Sequence, residues 1–359
     1  MPEDDPRQHD ELTHDLHPDD RLVVVKESPF NAETAHPALA APLTPSGAHY
    51  VRSNFDQPEL DAAQHLIAVE GAVADAFTLS MEDLASLPQR AVTVTLECAG
   101  NGRMSMAPLP PGEPWEHGAV STASWTGVPL SVLCDRAGLR DDVIEILVSG
   151  ADRGTPSGSR DQTRFARALP LDKALDANVI LAIEMNGRPL PVEHGAPARL
   201  IVPGWYGMAS IKWVARIAAL TEPFEGWFQR DRYVYESERE RRPVDVMRVK
   251  SQIVAPESGI GVGRGRVLVW GWAWSGAAPV AAVDLSLDGD DWQPATLDAP
   301  LAPHAWRRFS RVVDVAEPGR HVVRARARDA AGRVQPDVAP WNTHGYGNNA
   351  IVPVAFYVV

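Results

Sequence analysis

From Arg21 to about Thr221 the chain alternates short apolar runs with helix-like segments. Val92-Thr93-Val94-Thr95-Leu96, inside the run Ala91 to Leu96, is apolar and β-branched, the pattern of a buried strand. Leu66-Ile67-Ala68-Val69-Glu70-Gly71 reads as a second strand, and Ser80-Met81-Glu82-Asp83-Leu84 as a helix start capped by the serine side chain. Thr126-Gly127-Val128-Pro129-Leu130 leads into a short helix ending near Gly138, and Val143 to Val148 is strand-like. Val179 to Met185 is extended and closed by Asn186-Gly187, a tight-turn dipeptide. The mixture predicts an α+β organisation.

The pattern changes around Glu236 to Pro243, where Glu236-Ser237-Glu238-Arg239-Glu240-Arg241-Arg242-Pro243 is densely charged and reads as a solvated connection between domains. Beyond it, Arg266 to Trp274, Val280 to Leu287, Arg308 to Val315, His321 to Arg328 and Ile351 to Val358 are strand-like, with turns at Asp288-Gly289 and Ala331-Gly332. That spacing predicts a β-sandwich. Trp270, Trp272 and Trp274 alternate along one strand face and are expected in a core or an interface rather than at a substrate. The expected organisation is therefore a first domain over 21–243 and a sandwich over 244–359. Residues 1–20 hold eight acidic side chains against one arginine and few apolar groups, so they are expected to form a disordered tail, with His9, His14 and His17 incidental to metal binding.

Two domains also suit a chain of 359 residues. The formal charge of −13 argues against a nucleic-acid partner, which selects a basic footprint. Two cysteines make no disulfide framework, and no apolar stretch is long enough to span a bilayer. No positive segment followed by an apolar one, and no twin arginine, opens the chain, so a cytoplasmic location is expected, with a periplasmic one left open for a processed chain.

Chemistry concentrates at Cys98, which follows the predicted strand and opens Ala99-Gly100-Asn101-Gly102-Arg103. The glycines permit positive φ and close approach to a ligand. A cysteine here serves as a nucleophile, a redox thiol, a soft metal ligand or a small buried hydrophobe, and the nearby Arg103 favours its thiolate. Cys134, inside a helix-like segment, is expected to be structural.

Glu97-Cys98-Ala99-Gly100-Asn101-Gly102-Arg103 resembles the molybdenum-cysteine signature of the sulfite oxidase family. A second block, His194-Gly195-Ala196-Pro197-Ala198-Arg199 through Val202-Pro203-Gly204 to Ser210-Ile211-Lys212-Trp213, resembles the family's pterin-binding segment. The resemblance runs from about Arg21 to the C-terminus and takes in Glu184-Met185-Asn186-Gly187-Arg188-Pro189-Leu190-Pro191 and Val269-Trp270-Gly271-Trp272-Ala273-Trp274-Ser275-Gly276. It implies a mixed molybdopterin-binding domain followed by an immunoglobulin-like dimerisation domain, hence a homodimer. It also implies a molybdenum–molybdopterin cofactor with Cys98 as the protein ligand to the metal. His194, Arg199 and Lys212 fall at pterin-phosphate positions, Ser210 adds a hydroxyl, and Asp152 corresponds to a pterin-contacting carboxylate or caps a loop. Asn54 stands at a cofactor position where vertebrate members carry histidine. Arg52, Arg103, Trp115 and Tyr233 match the family's substrate pocket.

Three departures bear on the substrate: His344 replaces a third substrate arginine, Arg232 an acidic residue, and Ala209 an arginine before the Ser210 segment. The implied activity is oxidation of a small oxyanion, sulfite first, by oxygen-atom transfer. Electrons then pass to a separate acceptor such as a c-type cytochrome, since the chain has no Cys-x-x-Cys-His haem motif. The alternatives are a reductase of nitrate or of an S- or N-oxide, a non-enzymatic dimeric scaffold, and a cysteine hydrolase using His117 as base.

Overall fold

The structure, a computed structural model, describes residues 21–238 and 241–359. The expected acidic tail, with its three histidines, lies outside the described residues. The first domain is built on two five-stranded sheets. One pairs Arg90–Glu97 with Val120–Pro129, then Ile180–Met185, which carries Arg188–Pro189 and Arg199–Ile201 on its other edge. The other runs Phe77–Ser80, Leu66–Gly71, Val214–Leu220, Glu145–Gly154 and Thr163–Pro170, with Val214–Leu220 parallel to Leu66–Gly71 and antiparallel to Glu145–Gly154. Helices are few and short, and the two expected from the sequence both form. Ser80 accepts from the Asp83 N–H at 3.0 Å while Asp83 accepts from the Ser80 N–H at 2.9 Å, a reciprocal cap on Met81–Ser86. Leu130–Ala137 buries Leu130, Leu133, Cys134 and Ala137 on one face and stops at Gly138, φ +66°. Cys134 is thus a core residue, its thiol pushed up to about 12 by burial.

The second domain is the expected β-sandwich. A four-stranded sheet, Lys250–Ala255, Gly265–Trp274, Arg307–Val315 and Thr296–Leu297, faces a five-stranded one built around Val354–Val358, Gly319–Asp329 and Val280–Leu287. Val269, Val283, Phe309, Val323 and Phe356 pack between them. The charged segment, expected to be a solvated connection between domains, contains paired strands, Val234–Glu236 against Arg241–Pro243. Its charges form cross-strand pairs such as Arg241 with Glu236 at 3.5 Å, and composition alone does not reveal that pairing.

The core of the first domain extends into the second, beside the sandwich's own core. Trp272 stacks on Trp306 with ring centres 4.8 Å apart and donates to the Leu39 carbonyl, while Trp306 donates to that of Pro42. Such stacked aromatic pairs add about 0.5–1.5 kcal/mol beyond the area they bury. A Cβ on Gly276 would fall on the Gly204 carbonyl, so the two backbones meet only because both positions are glycine. Among the described residues no helix is long and apolar enough to cross a membrane.

Candidate molybdopterin site

The strand Arg90–Glu97 delivers Cys98 to the domain interior, where its backbone N–H donates to the Ala119 carbonyl at 2.9 Å. The loop then turns through Gly102, φ +83°, a left-handed conformation that favours glycine. Arg103 folds back over this turn, and a Cβ on Gly100 would lie 2.6 Å from its guanidinium. Arg103 donates to the Glu113 carbonyl at 2.7 Å and to the His344 carbonyl at 3.0 and 3.2 Å. Burial raises the Cys98 thiol pKa, while Arg52, a Gly100 backbone hydrogen bond and Arg103 pull it back.

Arg52, Asn54, Cys98, Asp152, His194, Arg199, Ser210, Lys212 and Tyr233, nine of the twelve residues singled out from the sequence, line one cavity of about 600 Å³. Arg103, Trp115 and His344 do not. Trp115 is buried in the cluster behind Cys98, and the His344 imidazole faces the Glu236 carboxylate at 3.4 Å. Burial, then Arg232, lowers the His344 pKa, so its ring adds little positive charge near neutral pH. Tyr50, Ser53, Glu193, Met208 and Trp213 line the cavity without having been singled out, although Ser53 lies between two residues that were and Trp213 ends the second block.

Three cations dominate the lining. Lys212 donates to the Ser53 hydroxyl at 2.7 Å and to the Glu193 carbonyl at 3.0 Å, and its ammonium lies 4.2 Å from the Trp213 ring centre. Burial, then Arg199, holds the Lys212 ammonium well below the usual lysine range. Arg199 donates to the His194 carbonyl at 3.1 Å, leaves its buried Nε without a partner, and is lowered to about 10 by burial. Arg52 donates to Asn31 at 3.1 Å, to Asn54 at 2.8 Å and to the Ser53 carbonyl. His194 is held neutral by burial and by His49 and Arg199, so its Nε2 is the donor to the Ser46 carbonyl at 2.8 Å. Ser210 accepts from the Val202 N–H at 3.1 Å, which leaves its hydroxyl proton free to donate. Tyr233 and Asn54 are paired at 3.2–3.3 Å.

The carboxylates of the lining do not balance these charges. Among the described residues neither Asp152 nor Glu193 pairs through its side chain with Arg52, Arg199 or Lys212. Asp152 Oδ1 is buried without a partner, and burial pushes its carboxyl up to about 7 against the pull of Lys212. Unpaired buried cations are costly, so the cavity selects an anionic occupant. No group of three or more His, Cys, Asp or Glu that could hold a metal exists among the described residues. A metal held at Cys98 would therefore have to draw its other ligands from the group that brings it. One soft thiol at one end of the cavity and guanidinium, ammonium and hydroxyl donors around it fit a molybdopterin, with its dithiolene-bound metal and anionic phosphate.

Residues 54–228 match the family model described as "Oxidoreductase molybdopterin binding domain", and residues 241–358 the model "Mo-co oxidoreductase dimerisation domain". Fold and cavity thus define a molybdopterin-dependent oxidoreductase. The chain is 35% identical to the mitochondrial sulfite oxidase of Homo sapiens over 99% of its own length and 68% of that protein. It is 30% identical to an inducible NADH nitrate reductase of Glycine max over 96% of its own length but 43% of that protein. The solved sulfane dehydrogenase SoxCD of Paracoccus pantotrophus superimposes with a TM-score of 0.84 at 30% identity, covering 94% of this chain and 88% of that one. The chain belongs to the sulfite oxidase family and spans about two thirds of the length of the curated sulfite oxidases it matches.

Proposed function

We propose that the chain oxidises sulfite to sulfate with a molybdenum–molybdopterin cofactor, releasing two electrons and two protons per sulfite and water consumed. The observation that carries this reading is the convergence of one thiol and three cations without carboxylate partners on a single cavity. Cys98 ligates the metal. Arg199, Lys212 and the Ser210 hydroxyl hold the phosphate, His194 orients Arg199 through its carbonyl, and Asp152, its carboxyl raised to about 7 by burial, carries only part of its negative charge near neutral pH and repels the anion less. The group supplies, when bound, two-electron oxygen-atom transfer.

The remaining work belongs to the chain. Arg52, anchored by Asn31 and Asn54, presents fixed positive charge where a sulfite oxygen binds, so little reorganisation is needed at the moment of reaction. The Tyr233 hydroxyl, paired with Asn54, donates to a substrate oxygen or passes on a proton. Arg103 supplies a second positive field from the far side of the Cys98 loop, its hydrogen bonds already committed to carbonyls, and Trp115 packs beneath that loop. A separate acceptor such as a c-type cytochrome takes the electrons, and the sandwich domain makes a homodimer. A cytoplasmic location accords with two unpaired cysteines, and cell fractionation tests it.

The test is sulfite-dependent reduction of an artificial acceptor by molybdenum-replete protein, beside Cys98→Ser and a molybdenum assay on both. Turnover and stoichiometric metal in the parent, with loss of both in Cys98→Ser, is the expected result. Bound molybdenum without sulfite turnover shifts the reading to reduction of nitrate or of an S- or N-oxide.

A further inference from the structure

A second chamber of about 730 Å³ adjoins the first and shares Arg52 and Asn54 with it. Its outer part carries the exposed Lys26, Thr155 and Ser157, and its inner part the buried Phe55 and Phe228, so it leads from solvent towards Arg52. Arg232, at the end of the turn Phe228–Arg232, also lines it.

The charge pattern around Arg232 is one-sided. Asp231 is engaged by Arg230 at 3.0 Å and Arg241 at 3.4 Å. Glu236 is engaged by Arg241 at 3.5 Å and faces His344 at 3.4 Å, and Glu113 is engaged by Lys26 at 3.3 Å. Each of these three acids therefore has its own cation, and the Arg232 side chain makes no hydrogen bond or ion pair with any described residue. Its field nevertheless reaches inward: it adds to the burial that lowers the pKa values of Arg103 and His344, and it opposes the burial that raises Tyr346 to about 12.

We propose that this chamber is a capture site for small inorganic oxyanions, with Arg232 as its specificity-determining cation and Arg52 as the residue shared with the inner cavity. That the captured anion is the substrate rests on the reading of the protein as a sulfite oxidase; that the chamber binds oxyanions does not. An anion entering past Lys26 meets Arg232, whose guanidinium has no acceptor among the described residues, and then Arg52, which touches both chambers. Arg232 lines the second chamber and not the Cys98 cavity, so it acts on encounter and binding rather than on the chemical step, and such charges act most strongly at low salt.

The experiment measures sulfate binding to the resting holoenzyme by calorimetry, and in parallel KM, kcat and the salt dependence of kcat/KM for sulfite. Parent, Arg232→Gln and Arg232→Lys are compared. In Arg232→Gln the sulfate Kd and the sulfite KM rise about tenfold, kcat changes less than twofold, and the salt dependence flattens; Arg232→Lys recovers most of the loss. Unchanged sulfate affinity in Arg232→Gln, with sulfite turnover intact, overturns the capture site and leaves the proposed function standing. Weakened sulfate binding in a protein that never turns over sulfite keeps the capture site and removes the proposed function.

Discussion

Replacing Lys250 with methionine leaves the Glu97 carboxylate buried without its cation, one residue before Cys98. Lys250 Nζ lies 2.9 Å from Glu97 Oε1, both side chains are 2% exposed, Asn101 donates to the same oxygen at 3.0 Å, and Trp274 donates to the other at 2.9 Å. Breaking one side of such a buried pair costs about 3–5 kcal/mol, because the surviving charge is left without compensation. At about 2–4 °C per kcal/mol for a domain of this size, the melting temperature of Lys250→Met falls by roughly 6–20 °C. Glu97→Gln in the same background removes the stranded charge and keeps one oxygen acceptor, enough for either Trp274 or Asn101 but not both, so the double variant recovers part of that loss. Scanning calorimetry on the parent, both single variants and the double variant closes the cycle, and molybdenum content reads the effect on the Cys98 loop. A Lys250→Met melting temperature within 2 °C of the parent, or a double variant no better than the single, refutes the reasoning.

Glu33 is raised to about 7 by burial and by Glu116, so its native state binds a proton that the unfolded chain releases above about 4.5. Its stabilising contribution is complete below that value and is lost as pH rises through 7; Glu33→Gln is therefore equal to the parent at pH 4.5 and more stable at pH 8, by up to about 3 kcal/mol, in denaturant titrations at the two pH values. Lys212→Met removes a buried cation that no side-chain carboxylate partners, so the cofactor-free variant is at least as stable as the parent. Its molybdopterin content in limiting cofactor drops about 10–100-fold, and a large loss of stability with normal cofactor binding would contradict this.

Local signals carried the elements. The β-branched run before Cys98, the Ser80 cap and the Asn186-Gly187 turn each encode their structure within a few residues, and each formed where it was expected. The two motif blocks likewise placed Cys98, His194, Arg199, Ser210 and Lys212 on one cavity. What was hidden depends on partners far along the chain. Lys250 finds Glu97 across 153 positions, and no periodicity encodes that pairing. Arg103 sits in the right loop, yet its hydrogen bonds go to the Glu113 and His344 carbonyls, a choice set by the C-terminal segment rather than by spacing from Cys98. The charged stretch after Glu236 reads as a solvated connection, and the strand pairing within it is not legible because alternating charge looks alike on a linker and on exposed paired strands.

Those distant partners share a pattern that bears on what the second domain is for. Besides Lys250 and Trp274 on Glu97, the Gly347 N–H donates to the Ala99 carbonyl at 2.7 Å, and Asn348 donates to the Gly102 carbonyl at 2.6 Å and to Ser105 at 2.9 Å. The loop from Glu97 to Ser105 is therefore held on several sides by residues beyond 243. A loop whose glycines permit many conformations has the most entropy to lose in adopting one, so its geometry has to be imposed by contacts from outside it. Cutting the chain at 243 would leave Glu97 a buried, uncompensated carboxylate and would free the Ala99 and Gly102 carbonyls from their partners. The sandwich thus braces the Cys98 loop from outside the cavity, and the integrity of that loop depends on both domains being present together.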